Sequence, residues 1–314
     1  MRISKLLAGG SLILIMSACG ADENDQVNED NNEHANEENN EGAHHDDGIY
    51  VTTSFSITAD FVSQVIGDLG EVDYLVPIGE EPHEYEPVPS DFRNVTDADV
   101  FYTNGMGLEE WIERLVENTG DTEIVSLSDG VTEIPLEGED GVDPHAWLSP
   151  KNVEVYIANI LDDVTERFPE HADEFEANAD AYLEEIDELL TYVDETVDQI
   201  PEENRIIVVS ENAFKYFGED YDFQTAGIWE INSGEEGTTG QINAVIDLVR
   251  ERNIPALFVE TTVDKRYMET VSENADVPIA GEVYTDAVGL EGSGAETYID
   301  MIRHNVNVFA EGLK

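Results

Sequence analysis

The chain has 314 residues, of which 72 are Asp or Glu and 14 are Lys or Arg, for a formal net charge of −58. Nucleic-acid binding needs cationic side chains to displace counterions, and a chain this acidic repels phosphate and anionic lipid surfaces alike. Hydrophobic residues still make up 40% of it, which excludes global disorder, and the length allows one large domain or two of ordinary size.

The first twenty residues read MRISKLLAGGSLILIMSACG. Arg2 and Lys5 precede an apolar run over residues 6–16 that is too short to cross ~30 Å of hydrocarbon as a stable helix. The small pair Ser17 and Ala18 then leads to Cys19, the only cysteine in the chain. This is the pattern of an export signal, and it resembles a bacterial lipoprotein signal. The resemblance implies a signal peptide over 1–18, lipidation of Cys19, and anchorage to the outer face of the cell membrane. Residues 21–48 carry eleven acids, seven Asn and almost nothing apolar. Such a segment buries too little surface to offset its ordering entropy, so 19–48 reads as lipid anchor plus acidic tether. His34, His44 and His45 belong to that tether. The acidity continues beyond it: residues 49–314 hold 61 acids against 12 bases. Adaptation of an exported, halophilic-type acidic protein to a salty medium is the expected reason.

From residue 49 onward, β-rich runs alternate with helical ones. The pattern predicts strands over 48–53, 72–77, 100–103, 124–127, 205–210, 256–260 and 278–283. It predicts helices over 56–69, 89–98, 109–118, 150–168, 212–221, 240–252, 264–275 and 295–311. Alternation at this spacing argues for an α/β fold with parallel sheets covered by helices. The stretch between Pro169 and Pro201 differs. Phe175, Ala179, Leu183, Ile186, Leu190, Val193, Val197 and Ile200 recur at steps of three and four, one face of a single long helix. At ~1.5 Å per residue it spans about 40 Å, more than a crossover needs. It reads as a connector over 169–200 between two (β/α) lobes, 49–168 and 201–314.

Four histidines lie outside the tether. His83 sits in GEEPHEYEP after a strand, and His145 in GVDPHAWLSP before a helix, each behind a Pro that stiffens the loop. His171 and His304 lie in charged helical surroundings and read as solvated surface residues. In the second half, RIIVVS runs into Glu211 and PIAGEVYT into Asp286. Ligands gather where parallel strands end, so a cleft between the lobes would join two imidazoles to two carboxylates. That set carries a charge of −2 and suits a divalent cation, with hard oxygens friendly to Mn²⁺ or Fe²⁺, although raw affinity favours Zn²⁺. If both carboxylates bind bidentately, six protein donor atoms fill the coordination sphere, whereas a hydrolytic site keeps a position open. No nucleophile series, phosphate loop or spare strand-end base supports an enzyme.

The stretches VPIGEEPHEYEPVPSDF, DADVFYTNGMGLE, DPHAWLSP, VVSENAFKYFG, IWEINSGEEGT, LFVETTVDKRYMETVS and YTDAVG resemble, in order, the cluster A-I (cluster 9) metal-binding lipoproteins of manganese, zinc and iron ABC transporters. The resemblance covers residues 49–314. It implies two lobes on one rigid helix, ligands at His83, His145, Glu211 and Asp286, and one Mn²⁺, Zn²⁺ or Fe²⁺ carried as cargo. It also implies a permease and, through it, an ATPase as partners of a monomeric binding protein that is not an enzyme. Zinc members resemble SHDAFGYF at the third ligand, manganese members SEGAFKYF, and this chain reads SENAFKYF. Residues 84–144 also lack the His-rich loop of many zinc members. Both features point to the manganese branch, with zinc or iron as the alternative.

Overall fold

The computed structural model describes residues 48–112, 122–138, 140–232 and 237–314. The signal, Cys19 and all of the tether but Gly48 lie outside these residues. So does most of the helix expected over 109–118, of which residues 109–111 are in a turn.

The first lobe is built on β1 (Ile49–Phe55), whose sequence IYVTTSF is β-branched, aromatic and wholly buried. Such a continuous buried run belongs at the centre of a parallel sheet. It lies between β2 (Gly70–Val76) and β3 (Val100–Thr103), with β4 (Ile124–Ser126) at the edge, all parallel. Helices α1 (Ser56–Ile66) and α2 (Pro89–Asp97) make the crossovers. The helix expected from residue 150 begins instead as a 3-10 turn, Pro150–Asn152, before α3 (Val153–Arg167).

The long helix is α4 (Ala172–Val197). Asp173 and Glu174 sit in its first turn, where negative charge complements the helix dipole. Its far end is closed by Arg205, whose guanidinium donates to the carbonyls of Val197 and Ile200. The buried stripe is Phe175, Ala179, Tyr182, Ile186, Leu189, Val193 and Val197. Tyr182 and Leu189 thus replace the expected Leu183 and Leu190, which are partly buried beside the core. Where two apolar residues adjoin, periodicity alone does not decide which of them faces inward.

The second lobe contains β5 (Ile206–Glu211), α5 (Lys215–Tyr221), β6 (Gln224–Trp229), α6 (Thr239–Arg252), β7 (Leu257–Glu260), α7 (Arg266–Ala275), β8 (Ile279–Val283) and α8 (Tyr298–Gly312). β5 pairs with β6 and β7 with β8, both parallel. The strand β6 is absent from the expected set, because Gln224 and Gly227 break its β pattern. Gly227 is there for space: a Cβ would come within 2.5 Å of the Asn212 nitrogen and the Trp229 oxygen.

One apolar core runs through both lobes and the long helix, from Val51, Phe61 and Trp147 through Phe175 and Leu189 to Phe214 and Phe309. A second, including Val208, Ile228, Val249, Leu257 and Met268, belongs to the second lobe. Polar bonds also tie the lobes. Trp147 Nε1 donates to the Thr285 carbonyl at 2.7 Å, and the Tyr298 hydroxyl donates to the Trp147 carbonyl at 2.7 Å. Among the described residues, no helix is long and apolar enough to cross a membrane.

Candidate metal centre

The four expected ligands come from four different segments. His83 lies in the loop after β2, His145 immediately before a 3-10 turn (Ala146–Leu148), Glu211 on the last residue of β5, and Asp286 in the loop after β8. The structure brings all four together. His83 Nε2 stands 3.2 Å from His145 Nε2 and 3.6 Å from Glu211 Oε1. His145 Nε2 lies 3.9 Å from Glu211 Oε1 and 3.5 Å from Asp286 Oδ1. Donors bound at about 2.1 Å to one cation sit roughly 3.0–3.5 Å apart at octahedral to tetrahedral angles, so these spacings are close to those of a coordination shell. His171 and His304 stand elsewhere. They are half-buried rather than solvated, with ring contacts to Phe175 and Tyr284 respectively.

Each ligand is held by neighbours. Asp143 Oδ1 accepts from the His145 backbone nitrogen at 2.9 Å and faces Nδ1 at 2.8 Å, which leaves Nε2 for the cluster. Lys215, from the second lobe, approaches Asp143 Oδ2 at 3.4 Å. Asp286 Oδ2 accepts from the hydroxyls of Thr262 and Thr285 at 3.0 and 2.7 Å. Its Oδ1 is buried and has no hydrogen-bond partner among the described residues. A buried acceptor left free is costly unless a donor or a cation meets it.

Two carboxylates near the cluster escaped the sequence reading. Glu81 Oε1 lies 3.9 Å from His83 Nε2, so three carboxyl groups rather than two gather at the cluster. It stands among so many acids that only proximity distinguishes it. Glu260, on the last residue of β7, is the strand-end carboxylate thought to be missing. Its oxygens are engaged by the backbone nitrogens of Ser210 and Glu211 at 2.8–3.1 Å, so it anchors the end of β5.

The electrostatics follow from burial and crowding. Burial, reinforced by His145, pushes the His83 imidazole down to about 3. Burial also opposes charge on His145, but Asp143 and then Asp286 and Glu211 outweigh it and raise that imidazole well above its usual range. Burial lifts Glu211 to about 8, partly countered by His145 and reinforced by Asp286. Asp286 is lowered: burial resists its charge, and the two imidazoles overcome that.

The family profile described as zinc-uptake complex component A, periplasmic (ZnuA), matches residues 51–312. The chain belongs to the ZnuA family. It is 55% identical over 302 residues to the manganese-binding lipoprotein MntA of Halalkalibacterium halodurans, covering 96% of this chain and 95% of that one. It is 38% identical over 273 residues to the manganese ABC transporter substrate-binding lipoprotein PsaA of Streptococcus pneumoniae, covering 84% and 88%. Among solved structures, it resembles the Mn-bound periplasmic metal-binding protein of Candidatus Liberibacter asiaticus. That match has a TM-score of 0.78 and 28% identity over 84% of this chain and 99% of the other. The periplasmic zinc-binding protein TroA of Treponema pallidum matches with a TM-score of 0.80 and 25% identity over 85% and 99%. This ZnuA-family chain is a binding protein of the two-lobed kind, not an enzyme.

Proposed function

We propose that the chain is the extracytoplasmic binding lipoprotein of an ABC importer. It captures one divalent ion, Mn²⁺, between His83, His145, Glu211 and Asp286 and hands it to a membrane permease driven by an ATPase. The observation that carries this reading is the buried convergence of two imidazole nitrogens and two carboxylates, with Asp286 Oδ1 left free. The choice of Mn²⁺ is supported by Glu at the third ligand, a harder donor than imidazole, and by the manganese-binding relative at 55% identity. Zn²⁺ or Fe²⁺ is the second reading: the Irving–Williams order favours Zn²⁺ at any such site, and TroA is a zinc-binding protein. In the mature protein we take Cys19 as the lipid anchor, 19–48 as tether, 49–168 and 201–314 as lobes, 169–200 as connector, and the monomer as the working unit.

The experiment is elemental analysis of protein purified from cells grown with controlled Mn, Fe and Zn. One Mn per chain, retained while Zn is scarce, supports the reading. Protein that carries Zn under every regime moves the assignment to zinc, and protein with no bound metal rejects it.

A further inference from the structure

Asn232 follows β6 in the second lobe, and none of the four expected ligands includes it. Its backbone nitrogen donates to Glu211 Oε1 at 2.9 Å, and its Nδ2 donates to Glu211 Oε2 at 2.7 Å. The same Nδ2 donates to Glu81 Oε2, in the first lobe, at 2.7 Å. The amide's two hydrogens are therefore divided between two carboxylates that belong to opposite walls of the cleft. Glu81 is fixed in turn, because its Oε1 accepts from the His83 backbone nitrogen at 3.1 Å. A cavity of about 270 Å³, lined in part by Leu108, Asp140 and Ile231, reaches the cluster at His83 and Asn232. Asn232 thus stands between Glu211 and a cavity that also borders His83. An amide suits this place. It is neutral, and it donates to both carboxyl groups.

We propose that the Asn232–Glu81 hydrogen bond is a latch across the cleft, which orients Glu211 and sets the rate at which the ion leaves. The latch rests on the reading of the cluster as an ion site. Asn232 and Glu81 are positioning residues, acting through Glu211 and His83 without touching the ion. The alternative is that Glu81 is itself a fifth ligand, and the two roles predict different mutant behaviour.

The test is the release of Mn²⁺ from the loaded protein into excess chelator, followed by stopped flow. Asn232→Ala should retain one ion per chain and release it about 10-fold faster or more, the range in which partners of ligands act. Glu81→Ala should release faster to a similar degree, and the double variant should add little, because both changes cut one bond. Glu81→Gln keeps an acceptor oxygen for Asn232 but gives up the bond accepted from the His83 nitrogen, and should release more slowly than Glu81→Ala. Wild-type release by Asn232→Ala, additive effects in the double variant, or Glu81→Gln behaving like Glu81→Ala would each overturn the latch. A wild-type protein that takes up no Mn²⁺ would overturn the ion site itself, and the latch with it.

Discussion

Asp143 stands behind His145 and fixes which of its nitrogens faces the cluster. Removing such a carboxylate typically costs 10–100-fold in metal affinity. Asp143→Ala should weaken Mn²⁺ binding by about that factor in calorimetric titration, with the fold unchanged. Protonation works on the same residues. Glu211, lifted to about 8 by burial, and His145, raised by its carboxylate neighbours, hold protons at neutral pH that an entering cation must displace. Affinity should therefore rise as pH climbs towards about 8 and fall in acid. Titrations at pH 7 in buffers of different ionisation enthalpy should reveal proton release, and proton-neutral binding would contradict this account. Glu211→His exchanges a hard oxygen for a borderline nitrogen and should move the Zn/Mn competition ratio towards Zn²⁺. An unchanged ratio would mean that Glu211 does not discriminate.

The long helix α4 carries the shared core, and Leu189 on it is fully buried, whereas Leu183 is only partly so. Leu189→Ala should cost about 2–5 kcal/mol in chemical denaturation, and Leu183→Ala clearly less. Gly227→Ala should destabilise β6 and disturb the adjoining end of β5 at Glu211, because the new Cβ meets backbone that has no room to shift. These two elements also mark how far the sequence could be read. Helices and strands with strong apolar periodicity emerged close to their true bounds, as did the long helix α4. The inner edge of α4 was misassigned by one residue at two places, since Tyr182–Leu183 and Leu189–Leu190 offer equal apolar choices. β6 was invisible because a close backbone approach demanded a Gly where a strand pattern wants a branched residue. The cluster was legible because His is scarce and because His83, Glu211 and Asp286 end or follow strands, while His145 stands behind a Pro before a helical turn. Glu81, Asn232 and Glu260 were not, because common residues gain their roles only from tertiary contacts, between lobes for Asn232 and Glu81 and within the second lobe for Glu260.

Most of the −58 charge has no part in the cluster. It covers exposed faces such as the outer side of α4, where Asp and Glu crowd together with few cations near. Like charges at such spacing oppose the compact state, and their repulsion weakens as the screening length falls from about 10 Å at 0.1 M salt to about 3 Å at 1 M. The thermal midpoint of the metal-free protein should rise between low and molar NaCl, and a flat or falling midpoint would contradict a role for the acidity in saline surroundings. Within that acidic envelope, two lobes share one core and meet at His83, His145, Glu211 and Asp286, an arrangement suited to holding a cation without acting chemically upon it. Calorimetric titration of the metal-free protein with Mn²⁺, beside the variants His83→Ala, His145→Ala, Glu211→Ala and Asp286→Ala, tests this most directly. One ion per wild-type chain, with stoichiometric binding lost in Glu211→Ala and Asp286→Ala and strongly weakened in both His variants, is the predicted result. Wild-type titrations from the Glu211→Ala or Asp286→Ala protein would contradict it.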